Sequence, residues 1–205
     1  MMKLFYSHGS CALAAHIALE EAGAPYEAVR LDTRNGAQRT PEYLAINPKG
    51  RIPALVTDQG VLTENVAILA WVAQAYPAAR LMPADPWAFA QAQAFNSYLA
   101  STVHVAHAHR MRGYRWADEE SSFADMRRKV PESMAGCIQL IEDEFLKGPW
   151  VMGDQYTVCD GYLFTISDWL EGDGVDPARF PRVLEHRERT RARPAVGKVL
   201  AVEAA

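Results

Sequence analysis

The sequence is poor in cysteine and has no long apolar run. Its three cysteines, Cys11, Cys137 and Cys159, are odd in number and far apart in a chain of 205 residues. That pattern argues against a disulfide framework and predicts a reducing, cytoplasmic setting. No C-x-x-C occurs, which excludes a self-contained dithiol redox couple, and H-E-x-x-H is absent as well. No apolar stretch reaches membrane-spanning length, and the opening residues lack the apolar run and cleavage site of a signal peptide. Charge is sparse too: 22% of residues are charged and the formal net charge is −4, so nothing draws the chain toward nucleic acid or an anionic membrane surface. No repeat of solenoid period is present. Apolar residues are plentiful at 49%, enough to build a core and inconsistent with wholesale disorder.

The first third alternates strand and helix signals. Lys3–Tyr6 is a short β-type run ended by Gly9. From Ser10 the pattern turns helical, with Leu13 and Ile17 four apart and Gly23 and Pro25 as the stop. Tyr26–Leu31 reads as a strand, and Pro41 opens a short helix running to Ile46. Asn47-Pro-Lys-Gly50 is a turn, and Pro53–Thr57 and Val61–Leu62 flank a tight turn as a hairpin. Thr63 is the expected cap of a helix carrying Val66, Leu69, Ala70 and Ala73 and stopping near Pro77. The order βαβα then ββα specifies a small mixed sheet with helices packed on it, the thioredoxin-like arrangement. The three-proline stretch Pro77–Pro86 reads as a linker. Helical patterns then cover Trp87–Arg112, Ser122–Lys147, Val158–Leu170 and two shorter segments beyond Pro177 and Pro194. The expected domains are 1–77 (α/β), 78–86 (linker) and 87–205 (an all-α bundle).

Cys11 stands where a strand hands over to a helix. Unpaired N–H groups and the positive dipole end there favour negative sulfur, which predicts a lowered thiol pKa. The alternative is a small buried residue on an Ala-rich helix, and position alone does not choose between them. Cys137 and Cys159 read as packing residues. Ile52-Pro53 is either a strand-opening dipeptide or a freed backbone edge. Thr63-Glu64-Asn65 suits an amino-acid head group and equally suits plain capping. His104 and His107 share a helix face while His109 lies well round from it, so a metal site is not expected. That face borders either a cleft or a packed helix. Thr157 and Asp160 form a capping box read as structural, with an expected cost on truncation of about 0.5–2 kcal/mol.

Residues 2–19, Asn47–Leu55, Leu62–Ile68 and Tyr156–Thr165, in this order and spacing, resemble the glutathione transferase family and within it the bacterial beta class. The resemblance spans essentially the whole chain. It implies glutathione as cosubstrate, no metal, a homodimer, and a small hydrophobic electrophile as the second substrate. It implies that Cys11 faces the glutathione sulfur and can form a mixed disulfide with it, with Ser10 donating to the thiolate. Tyr6 matches the region of the tyrosine used by other classes, and His104 the helical-domain histidine near the site. Ile52 and a cis-Pro53 would pair with the cysteinyl part and Glu64 and Asn65 with the γ-glutamyl end; the relatives' basic residue for the glycine carboxylate has no clear match in the shorter segment after Leu31, and Arg34 is the candidate for it. His8 departs from the proline common in relatives, and Asn65 from their serine or glycine. Tyr114, Trp116 and Trp169 are candidates for the electrophile pocket or for core. The competing expectation is a non-catalytic binding or regulatory scaffold of the same fold.

Overall fold

A computed structural model describes residues 1–204. Four strands, β1 (Met2–Tyr6), β2 (Tyr26–Arg30), β3 (Ala54–Thr57) and β4 (Gly60–Thr63), form one sheet in the order β2-β1-β3-β4. β1 and β2 are parallel, with Leu4 opposite Ala28, and the other two pairings are antiparallel, with Leu4 opposite Leu55 and Leu55 opposite Leu62. Register places the fully buried Leu4 and Leu55 side by side in the core. The α1 (Ala12–Glu21), α2 (Pro41–Ile46) and α3 (Asn65–Ala75) helices complete a thioredoxin-like unit. Among the described residues beyond α3 there are only helices, turns and one isolated bridge between Trp150 and Gly153.

α1 is the pivot of the molecule. Its alanines favour helix and its residues from Ala12 to Leu19 are all buried. It ends in a Schellman turn: Gly23 (φ 63°) donates to the Glu20 carbonyl and Ala24 to the Leu19 carbonyl. On its outer side lie α7 (Val158–Ser167) and α9 (Pro194–Ala204), with Leu13, Ile17, Phe164, Val196 and Val199 packed together. Polar ties add to this. The His16 Nδ1–H donates to Glu203 Oε1 at 3.0 Å with both side chains buried, and Arg193 grips Glu21 through two hydrogen bonds. The helix that presents Cys11 is therefore clamped between the sheet and the C-terminal helix.

The helical half departs from the expected pattern in two places. The stretch Trp87–Arg112 is not one continuous helix. α4 (Pro86–Tyr98) passes into a π-helical turn, Leu99–Val103, and then α5 (His104–Ala108). The His104 N–H reaches back to the Leu99 carbonyl, and Ser101 Oγ donates to the Ser97 carbonyl, a back-bond that competes with the α-ladder. The extra residue in the turn keeps Leu99 and Val103 fully buried while resetting the direction of His104. Likewise α6 (Glu120–Leu140) closes on a π-helical turn, Ile141–Phe145. α8 (Pro181–Arg191) receives its N-terminal cap from elsewhere in the chain: buried Glu142 accepts from the backbone N–H groups of Arg182 and Val183.

Thr63 does not cap α3. It is the last residue of β4, and its hydroxyl oxygen accepts from Lys49 Nζ at 2.6 Å. The residue at the helix start is Glu64, held at φ 71°. A left-handed conformation in a non-glycine residue costs about 1–2 kcal/mol and is typically found where a side chain must be aimed.

Candidate functional site

The site is built around the β1–α1 loop. Ser10 Oγ donates to the Ser7 carbonyl at 2.6 Å and accepts the Ala12 N–H at 3.3 Å. Its hydroxyl proton is directed to the loop, at the Ser7 carbonyl. Cys11 follows in helical conformation, half-buried. Its Sγ–H points at the Ile52 carbonyl, 3.7 Å away, across the gap between the start of α1 and the segment leading into β3. Ile52-Pro53 is cis. Ile52 lies just outside the β3 ladder.

The thiol is not lowered. Burial pushes Cys11 up to about 11, and this outweighs the opposing pull of Arg112, of its own backbone N–H and of Arg115. A thiol that loses water on entering the fold is penalised as the anion, and one helix end does not repay that loss. Near neutral pH Cys11 is an S–H donor. Its iodoacetamide alkylation rate is expected to climb about tenfold per pH unit from about pH 7 to about pH 10. A plateau near neutrality, read from the mass of the Cys11 peptide, would show a thiolate instead.

Asn65 is buried, and its Nδ2 donates to the Cys11 carbonyl at 2.7 Å. The amide expected to hold a ligand carboxylate thus ties the start of α3 to the Cys11 loop. Glu64, by contrast, is exposed and meets Lys49 Nζ at 2.5 Å. Lys49 sits on a rigid turn: Tyr43 Oη and Asn47 Nδ2 both donate to the Arg51 carbonyl at 2.6 Å, and Asn47 Oδ1 accepts the Lys49 N–H. Gly50 suits this turn because its φ of 58° is one that side-chain-bearing residues rarely adopt, and a Cβ would also stand 3.1 Å from the Gln38 carbonyl and against the Arg39 side chain. Arg39 is thus the cation laid against this turn. Arg34 is exposed on a 3₁₀ turn shaped by the Asp32 carboxylate, with no side-chain partner among the described residues. Nothing in the spacing of Lys49 or Arg39 marked them beforehand.

Tyr6 is not at the site. It is 3% exposed, its ring packs 5.1 Å from that of His16, and burial raises its phenol pKa. The β1 pleat turns it toward the α1–α9 side.

The opposite wall comes from the helical half. Trp169 Nε1 donates to the Gly9 carbonyl at 3.1 Å, joining that half directly to the Cys11 loop. His107 stacks on Trp169 at 4.1 Å and holds Asp173 at 2.7 Å, while His104 lies 5.1 Å from the same indole. His109 turns away to pack on Trp116. Arg112 Nη1 donates to His104 Nε2 at 3.3 Å, which puts the ring proton of a neutral His104 on Nδ1. Burial, followed by Arg112, drives His104 down to about 3, so it stays neutral through the physiological range. His104 is an acceptor and a support here, not a proton donor. Trp169 is half-buried in the cleft wall, whereas Tyr114 and Trp116 are exposed. No group of three or more His, Cys, Asp or Glu with metal-binding geometry occurs among the described residues. No helix among them is long and apolar enough to cross a membrane.

Residues 2–74 match the family described as glutathione S-transferase, N-terminal domain. A glutathione transferase homologue from Sulfitobacter, solved with bound glutathione, shares 47% identity and superposes with a TM-score of 0.96, covering 98% of each chain. The bacterial beta class glutathione S-transferase of Sphingomonas chungbukensis shares 32% identity at a TM-score of 0.85, again over 98% of both chains. Glutathione S-transferase GstA of Escherichia coli O157:H7 is 28% identical over 205 residues, 98% of either chain.

Proposed function

We propose, from the premise that this chain belongs to the glutathione S-transferase family and is a glutathione transferase, that it is of the beta class and conjugates the glutathione thiolate to small hydrophobic electrophiles, with thiol–disulfide exchange at Cys11 as a second capability. One observation carries this reading: the Cys11 sulfur and the backbone carbonyl of Ile52, which stands just outside the β3 ladder, meet at a single point, 3.7 Å apart. An extended tripeptide paired with Ile52 brings its own sulfur to Cys11. Glu64, aimed by its strained backbone, would take the amine of the γ-glutamyl end. Arg34, or Arg39 laid against the Gly50 turn, would take the glycine carboxylate. Pro53 shapes the edge and Asn65 holds the Cys11 loop in place.

The neutral Cys11 thiol is suited to this role. It can redirect its S–H from the Ile52 carbonyl to an incoming sulfur anion, while the fields of Arg112 and Arg115 favour the same negative charge. Lowering a bound thiol by ~2 pKa units corresponds to about 2.7 kcal/mol, within reach of two or three aligned donors. The electrophile would approach from the Trp169–His104 wall, where positioning does the remaining work. The family also supports a cytoplasmic homodimer.

The test is retention on immobilised glutathione followed by conjugation of chlorodinitrobenzene. Retention and turnover above the uncatalysed rate are expected. Passage straight through the resin would remove the reading, and retention without turnover of any electrophile or disulfide would leave only a binding scaffold.

A further inference from the structure

The cleft wall facing Cys11 carries more positive charge than the wall itself balances. Several arginines elsewhere in the helical half find carboxylates: Arg187 meets Glu171, Arg191 meets Asp168 and Arg193 meets Glu21. Arg112 does not. It is half-buried, and among the described residues its guanidinium meets only the neutral Nε2 of His104. Arg115 and Arg51 have no carboxylate partner among the described residues either, and both stand near enough to Arg112 to destabilise its charge. The Cys11 thiol, which also acts on Arg112, is itself pushed up to about 11 by burial and supplies no negative charge near neutral pH. Withdrawing an arginine from water beside two like charges, without a counter-ion, is unfavourable for folding. Such an arrangement becomes favourable when an anion arrives, and a planar guanidinium held from one side is a ready fork for a carboxylate or sulfonate.

Aromatic surface surrounds this charge. Trp169 lies between the Gly9 carbonyl and His104, and Tyr114, 62% exposed, sits on the same short segment as Arg112 and Arg115. A flat apolar ring has partners here, and so does an acidic substituent on it.

We propose that the electrophile half of the site selects aromatic substrates that carry a negative group, held by Arg112 with help from Arg115 and Arg51 against the Trp169 and Tyr114 faces. This rests on the glutathione transferase reading and narrows its second substrate from any small hydrophobic electrophile to an acidic aromatic one. His104 acts as a positioning residue: as an uncharged acceptor it fixes one edge of the Arg112 fork and leaves the other open.

Two unreactive probes of one shape, 3,5-dinitrobenzoate and 1,3-dinitrobenzene, separate charge from ring. Equilibrium dialysis against the full chain, with and without S-methylglutathione, is expected to show the benzoate bound at least about tenfold more tightly. Arg112→Gln should bring the two probes to within about twofold, Arg112→Lys should restore part of the difference, and raised salt should shrink it. Equal affinity of the two probes in the wild type overturns the proposal. So does an unchanged preference in Arg112→Gln. A loss of S-methylglutathione binding in that variant, with the probe preference intact, would assign the arginine to the tripeptide and also overturn it. Failure of the glutathione reading shows separately, as absence of S-methylglutathione binding and of chlorodinitrobenzene turnover, while dialysis without the tripeptide still decides the anion preference.

Discussion

Incubated with oxidised glutathione at mildly alkaline pH, the wild-type chain should gain the mass of one glutathionyl group and Cys11→Ala should gain none. The Cys11 thiolate attacks one sulfur of the disulfide, a new S–S bond forms, and the other glutathione leaves as its thiolate. The three cysteines differ sharply in their access to that reaction. Cys159 is fully buried, with its thiol directed at the Ala92 carbonyl and raised to about 12. Cys137 is half-buried and also raised by burial, and its backbone carbonyl accepts from Tyr98. Only Cys11 borders the cleft. Because its own pKa stands near 11, adduct formation should be slow near neutrality and accelerate with pH, since only the thiolate attacks. Intact-mass spectrometry over a pH series reads both features. An adduct that survives in Cys11→Ala would move the chemistry to another cysteine and remove the proposed exchange activity.

The largest loss of stability is expected at Asp160. The capping-box pattern Thr157–Asp160 predicts a modest cost, and the structure raises it. Asp160 is completely buried and serves four donors: the Val151 N–H at 2.7 Å, the Thr157 N–H at 2.7 Å, the Thr157 hydroxyl at 3.2 Å and His186 Nε2 at 2.9 Å. It therefore starts α7, anchors the Trp150–Gly153 loop and holds α8 in a single stroke. Asp160→Ala leaves these donors buried without acceptors. Removing one member of such a buried, charged network costs about 3–5 kcal/mol, which for a chain of this size lowers Tm by roughly 6–20 °C. Asp160→Asn, which keeps one acceptor oxygen, should lose less. Differential scanning calorimetry or denaturant titration decides it, and a drop below about 2 kcal/mol would reduce Asp160 to an ordinary cap. α7 packs on α1 through Ile17 and Phe164, so the same variant should also loosen the Cys11 loop and weaken retention on glutathione.

The site was legible in part. Cys11, Ile52 and Glu64 stand at junctions marked by turn residues, and the structure brings them to one edge of the sheet. Ser10 and Asn65 lie beside Cys11, and their polar groups are directed to the Ser7 carbonyl and to the Cys11 carbonyl. Whether a side chain faces a ligand or braces a loop depends on the distance to a residue far along the chain. A separation of 54 positions along the chain between Cys11 and Asn65 leaves no trace in local pattern. The place of Tyr6 has a similar origin: a strand's alternation gives two faces, and only packing against His16 says which one is the core. The π-helical turn before His104 also escaped notice, because the run of apolar residues through Leu99 and Val103 fits an unbroken helix equally well.

The sequence by itself determined the element order, the thioredoxin-like half with its mixed sheet, the helical half, and the meeting of a cysteine with the start of the first helix. Those follow from short-range physics: side-chain periodicity, glycine and proline at the stops, and capping residues. Tertiary structure alone decided the ionisation of that cysteine, the neutrality of His104 and the gathering of Arg112, Arg115 and Arg51 about one cleft. These depend on desolvation and on Coulomb interaction between residues distant in the chain, and both come into being only when the two halves close on each other.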